Sequence, residues 1–204
     1  MTDQTTARRH HGNRHGRSED ARQAVLRAAD DLLVERGFAG VTVEGIAAAA
    51  GVGKQTIYRW WTSKTEILLD VFLEDAAEQL TPVDHGDLGR DLREHLKALA
   101  AFLREDDAGA VFKALIGHAQ HDEEFAVTLR ARYLDAQRSR DRLPLERAIA
   151  RGELPADLDT AVAVDRLVGP VYHRALITGD PVNAAFVDTL VDAFLREAAV
   201  TPVN

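Results

Sequence analysis

The sequence predicts an all-α protein of about nine helices, on three observations. From Ser18 onward, apolar residues recur at three- and four-residue spacing almost without a break. The two-residue alternation of a half-buried strand is absent, and no segment repeats. Helix start and stop signals stand where the period lapses: Ser63 followed by Glu66, and glycines at 37, 152 and 179.

Residues 1–17 are polar and aperiodic, with Arg8, Arg9, Arg14 and Arg17 among them, and read as a basic disordered arm that can reach nucleic-acid phosphates or a minor groove. The first helix spans about Ser18 to Arg36, with Ser18 as N-cap and Val25, Ala29, Leu32 and Leu33 on one stripe. Gly37 takes the C′ position, and Phe38 plugs the core. A short second helix follows, capped by Thr42, with Val43, Ile46, Ala47 and Ala50 on one face. Gly51-Val52-Gly53 breaks it, and a third helix runs from Lys54 to about Trp61. Two short helices joined by a tight glycine-containing turn form a helix-turn-helix, and the alanines at 47–50 let such helices cross closely.

Ser63 and Glu66 make a capping box that opens a helix carrying Ile67, Leu68, Val71, Phe72 and Ala76. Thr81–Asp87, with Pro82 and Gly86, is a loop and the domain boundary. Beyond it, Leu88, Leu92, Leu96, Leu99, Phe102 and Leu103 mark one amphipathic helix, and Val111, Phe112, Leu115, Ile116 and Ala119 another. A long helix starts at Asp122 with Phe125, Leu129 and Tyr133 inward; Pro144 kinks or restarts it, and Gly152 ends it. Residues 157–178 form a helix interrupted at Gly169-Pro170 and closed by Gly179. The last helix begins at Asp180-Pro181, with Asp as N-cap and Pro at N1.

Composition removes whole classes of function. With no cysteine there are no disulfides, no thiol chemistry and no cysteine-ligated zinc. No apolar run approaches the roughly 20 residues of a membrane span, and the N-terminal residues lack a signal-peptide apolar stretch, so no membrane partner is expected and the cytoplasm is the expected compartment. The net charge of -8 conceals an asymmetry: residues 1–64 carry +3 and residues 65–204 carry -11. A basic front on an acidic chain is the distribution expected when one end meets DNA.

The stretch from Ala50 through Gly51-Val52-Gly53-Lys54-Gln55-Thr56-Ile57-Tyr58-Arg59-Trp60-Trp61-Thr62-Ser63-Lys64 to Leu68, with Phe38 to Ala47 upstream, resembles the helix-turn-helix signature of the TetR family of bacterial transcriptional regulators. The match covers about residues 20–70; Gly53 stands where a small hydroxyl residue is usual, and Trp60-Trp61 where an aromatic pair such as Tyr-Phe is common. Periodicity agrees with it: Ile57 and Trp61 turn inward together and leave Lys54, Gln55, Tyr58 and Arg59 outward, able to enter a major groove. Lys bonds guanine O6/N7 and Gln bonds adenine N6/N7, so Lys54 and Gln55 are the base-reading candidates. Thr42, Thr56, Tyr58, Trp60 and Lys64 are candidates for the DNA backbone, and Arg59 suits either role.

The resemblance implies a basic arm (1–17), a three-helix DNA-binding domain (18–64), a connecting helix (65–80) and a larger helical domain (81–204) for dimerisation and ligand binding. It implies a homodimer on a palindromic double-stranded operator, a repressor's role and release by an unidentified small-molecule effector, with neither enzymatic activity nor a cofactor. The last two helices qualify as the dimer surface, through Leu167, Val171, Ala175, Phe186, Leu190, Val191 and Phe194: the last helix carries more apolar arc than one core face requires, and the resemblance implies that these two helices pair with their twofold mates. A ligand pocket is expected among the middle helices, at His95, Leu99, Phe102, Phe112, Ile116, His118, Tyr133, Gln137 and Tyr172.

Three alternatives stand beside this reading. A helical carboxylate-bridged enzyme needs Glu-x-x-His pairs, and there are none; nor is there a nucleophile elbow, a phosphate loop or a dinucleotide fingerprint. A metal-responsive regulator would use His118, His121 and Asp122, a thin donor set, and no metal is expected. An activator or an architectural DNA binder has the same sequence features as a repressor.

Overall fold

A computed structural model of the chain describes residues 14–104 and 107–200. It divides into two compact units, Met1–Val71 and Phe72–Asn204. Among the described residues the regular structure is entirely helical, in ten α segments: α1 Arg14–Gly40, α2 Val43–Ala50, α3 Lys54–Ile57, α4 Lys64–Gln79, α5 Leu88–Arg104, α6 Asp107–Ala119, α7 Glu123–Leu129, α8 Asp135–Ala150, α9 Thr160–His173 and α10 Ala184–Val200. A π turn at Arg130–Leu134 joins α7 to α8 without a break, and a second, Arg174–Thr178, extends α9.

In the first unit α1 packs on α2 and α2 on α3. Val25, Ala29, Ile46, Ile57, Ile67 and Leu68 are wholly buried. Gly37 breaks α1 with φ 64 and ψ 171, a backbone that an L side chain rarely adopts. In the second unit α5 is the hub and touches α6, α8, α9 and α10. Its Leu88, Leu92, Leu96, Leu99, Phe102 and Leu103 are all buried, as their spacing predicts. Around it Phe72, Phe102, Phe112 and Tyr133 form one aromatic cluster with ring centroids 4.8–5.3 Å apart.

Several local expectations are corrected. The backbone is already helical at Arg14, so Ser18 lies inside α1 and is not its N-cap, and residues 14–17 are not a disordered arm; residues 1–13 lie outside the described residues. Phe38 is half-buried instead of plugging the core, with the Lys64 ammonium 4.9 Å from its ring centroid. Pro144 does not restart its helix, and Gly169-Pro170 does not interrupt α9. Burial of Pro144, Leu145 and Ala148 offsets the backbone hydrogen bond that proline cannot donate. The irregularities fall at the π turns. α9 begins at Thr160, where Asp159 caps the N–H groups of Ala161 and Val162. The final helix begins at Ala184, capped by Asn183, whose Oδ1 accepts from the Phe186 N–H at 2.9 Å. Asp180 and Pro181 stay outside it, their carbonyls accepting from Arg104 and Arg174.

Candidate nucleic-acid interface

Local chemistry builds the α2–turn–α3 unit. Thr42 has extended backbone, and its hydroxyl accepts from the Gly45 N–H at 3.0 Å, which fixes where α2 starts. Gly51 ends α2 in the left-handed conformation, φ 66 and ψ 28. Gly53 opens α3 with no side-chain cap, the consequence of its lacking a hydroxyl. The α-helical part of α3 stops at Ile57, shorter than its sequence suggests. The chain then tightens, with the N–H groups of Trp60 and Trp61 both reaching the Ile57 carbonyl, at 2.9 and 3.0 Å. This tightening leaves Ile57 and Trp61 buried, while Lys54, Gln55, Tyr58 and Arg59 are exposed and Thr56 and Trp60 half-buried.

Two of the candidate cations already have partners. Lys54 Nζ donates to Glu44 Oε1 at 2.7 Å. That hydrogen bond holds the Glu44 carboxyl below its ordinary range and the Lys54 ammonium above its own. The pair is exposed on both sides, so releasing Lys54 from Glu44 costs little. Lys64 Nζ donates to the carbonyls of Phe38 and Val41, both at 3.0 Å, and so ties the start of α4 to the segment that leads into Thr42. An ammonium has three donors, which leaves a third for a phosphate. Replacing it in Lys64→Met keeps the stem and strands two carbonyls; a loss of about 1–2 kcal/mol is expected. Urea unfolding measures it, and hydrogen exchange should quicken at Val43 to Ile46; an unchanged midpoint would remove Lys64 from this role.

A buried anion props the recognition turn. Trp61 Nε1 donates to Asp70 Oδ2 at 2.8 Å, and the same oxygen takes Arg22 Nη2 at 3.1 Å. Asp70 is 7 % exposed, and a buried carboxylate needs hydrogen-bond donors such as these two. The sequence reading missed Asp70, although one carboxylate in the buried run Ile67–Phe72 is itself the signal. Ser63 Oγ accepts from the Glu66 N–H at 3.3 Å, while Glu66 reaches back to the Thr62 N–H at 2.6 Å, one residue earlier than an ideal capping box.

This is a helix-turn-helix with an outward basic and polar face. Residues 25–71 match the family model described as bacterial regulatory proteins, tetR family, and residues 82–194 match the tetracyclin repressor-like C-terminal domain. The chain belongs to the TetR family. It is a transcriptional regulator with a DNA-binding helix-turn-helix. It is 42% identical over 179 residues to the uncharacterized regulator YdeS of Bacillus subtilis, covering 87% of this chain and 90% of that one. It is 32% identical to the DNA-binding transcriptional repressor TetR of Mycobacteroides abscessus, over 88% of this chain and 94% of the relative. The crystal structure of the TetR family transcription regulator SCO0332 superposes with a TM-score of 0.79 at 37% identity, covering 90% of this chain and all of that one.

The second unit of this TetR-family regulator redistributes the residues that the sequence assigns to pocket and dimer surface. His95, Leu99, Phe102, Phe112 and Tyr133 are core residues, each at most 5% exposed, and line none of the clefts described below. His118 is exposed beside Phe125, with Nε2 3.5 Å from Asp122. Gln137 and Tyr172 do line a cleft, of about 410 Å³, between α8 and α9. Ile116 lines another, of about 530 Å³, at the α6–α7 turn. Tyr133 and Tyr172 share a hydroxyl–hydroxyl bond of 3.1 Å. Burial raises both phenols, Tyr133 to about 12 and Tyr172 well above its ordinary value. Of the dimer candidates, Leu167, Val171, Ala175, Val191 and Phe194 are buried within the protomer, while Phe186 and Leu190 are half-buried. Among the described residues, the large apolar side chains left most exposed on α9 and its π extension are Val162 and Ile177, 54% and 75% exposed. Among the described residues no group of three or more potential ligands is placed to hold a metal, and no helix is long and apolar enough to cross a membrane.

Proposed function

We propose that this chain is a one-component cytoplasmic repressor that binds a palindromic operator as a homodimer and is released by a small-molecule ligand. The observation that carries the reading is the exposed Lys54, Gln55, Tyr58 and Arg59 face, presented by a turn whose other side is locked by Trp61 and Asp70. Lys54 and Gln55 read base edges; Thr42, Thr56, Tyr58, Trp60 and Lys64 contact the DNA backbone, and Arg59 serves either role. Thr42 adds the free N–H groups of a helix start, which favour a phosphate. One such module binds weakly, and two half-sites about 34–36 Å apart require a twofold mate. Val162, Arg166, His173 and Ile177 recur along one outward line of α9 and its π extension, and with Phe186 and Leu190 of α10 they make the surface for that mate. A ligand acts by binding the DNA-incompetent state more tightly than the competent one.

Gel shifts on DNA upstream of the chain's own gene test this. The wild type should bind a pseudo-palindrome as a dimer. Gln55→Ala should lose about 1–3 kcal/mol at cognate sites with little change at random DNA, whereas Tyr58→Phe should weaken both alike. Wild-type protein that binds no upstream palindrome would contradict the reading.

A further inference from the structure

The cleft between α8 and α9 has a chemistry that selects its ligand. Its volume, about 410 Å³, falls within the roughly 300–1,000 Å³ of small-molecule sites. Leu134, Val168, Gly169 and Tyr172 supply apolar walls. Gln137 and Asp141 close its inner end and are 1% and 4% exposed. Asp141 Oδ1 lies 2.7 Å from both His95 Nε2 and Gln137 Nε2. Arg140 is engaged by Gln137, its Nε donating to Oε1 at 2.9 Å, which aims the Gln137 amide nitrogen at Asp141. Both donors therefore crowd one oxygen, and Oδ2 carries no hydrogen bond among the described residues. A carboxylate accepts about four hydrogen bonds.

Charge points the same way. The cleft is lined by Asp135, Asp141 and Asp165 against Arg130 and Arg138, and Arg138 already pairs with Asp165 at 2.9 Å. Asp141 is held by the His95 imidazole and the Gln137 amide and by no guanidinium directly, and the half-buried Arg140 beside it is tied to Gln137, so the second carboxylate oxygen stays open to a ligand cation that donates hydrogen bonds. The Tyr172 ring beside it suits a flat apolar body or the face of a cation. The geometry points to an organic cation, an amidinium or protonated amine on an apolar frame, as the ligand of this cleft and, resting on the ligand-released reading above, as the effector.

Calorimetry on the full chain without DNA tests the chemistry, using one biphenyl frame that carries an amidinium, an amide or a carboxylate. The amidinium should bind at least tenfold more tightly than the amide, and the carboxylate should give no heat. Asp141→Asn should erase that ratio. Gly169→Leu should abolish binding while the helix stays intact, since a Cβ at Gly169 meets nothing within 4 Å and a longer side chain fills the cleft. If Asp141→Asn fails to fold, Gly169→Leu decides alone. Equal binding of amidinium and carboxylate, or amidinium binding that survives Gly169→Leu, would overturn the proposal. Operator gel shifts with the amidinium then test the effector role. Binding in the cleft with unchanged operator affinity overturns that role, whereas a chain that binds no operator without any probe refutes the regulatory reading itself.

Discussion

Asp70→Ala should destabilise the chain by about 3 kcal/mol, because removing the acceptor of a buried, charge-assisted network leaves the Trp61 indole N–H desolvated and unpaired. Its carboxylate takes the Trp61 indole and the Arg22 guanidinium on one oxygen. Trp61 is 3% exposed and cannot turn to water for a substitute acceptor. For a chain of this size the thermal midpoint should fall by roughly 6–12 °C. Asp70→Asn keeps an acceptor for the indole and loses the charge, so it should cost about half as much. Thermal unfolding followed by circular dichroism reads both. Since Trp61 ends the recognition turn, operator affinity should fall further than the folded fraction explains. A drop in stability below about 1 kcal/mol in Asp70→Ala would show that the network is not the prop described here.

The second large effect lies in the other unit. Phe112→Ala should cost about 3–5 kcal/mol, as large-to-small changes of buried aromatics do. Phe112 is 1% exposed, stacks on Phe72 at 5.2 Å and meets Tyr133 edge-on at 5.0 Å. Its loss opens a cavity that rigid helices close only in part. Phe112→Leu fills most of the space and should cost less than about 2 kcal/mol. Denaturant unfolding of the two variants, with a benzene or xenon soak to detect the cavity, separates collapse from a void. Equal stabilities would mean that the cluster repacks freely, contrary to the close ring geometry.

Signals that act within a few residues were legible in the sequence. Thr42 caps α2, Asp122 caps α7, Ser63 and Glu66 open α4, and Gly51, Gly152 and Gly179 end helices with positive φ. The outward face of α3 follows from the same local period, since Ile57 and Trp61 point one way and Gln55 and Tyr58 another. Proline misled in part: Gly169-Pro170 read as an interruption and Pro144 as a kink or restart, yet both prolines sit within helices where surrounding burial outweighs one lost backbone bond. Asp141 was invisible, because Arg138-Ser139-Arg140-Asp141-Arg142 looks like a solvated charge run, and a partner 46 residues away draws it into the core.

The sequence by itself therefore determined the fold class, the helix-turn-helix and the outward polar face of α3. Each depends on periodicity or on bonds between residues a few positions apart. Tertiary structure alone decided which apolar residues of α9 and α10 are spent on the protomer's core, that Lys54 already holds Glu44, and that Asp70 braces Trp61 with Arg22. Those outcomes join residues 10 and 48 positions apart, and amphipathic spacing states only that a face is apolar, never which surface will cover it.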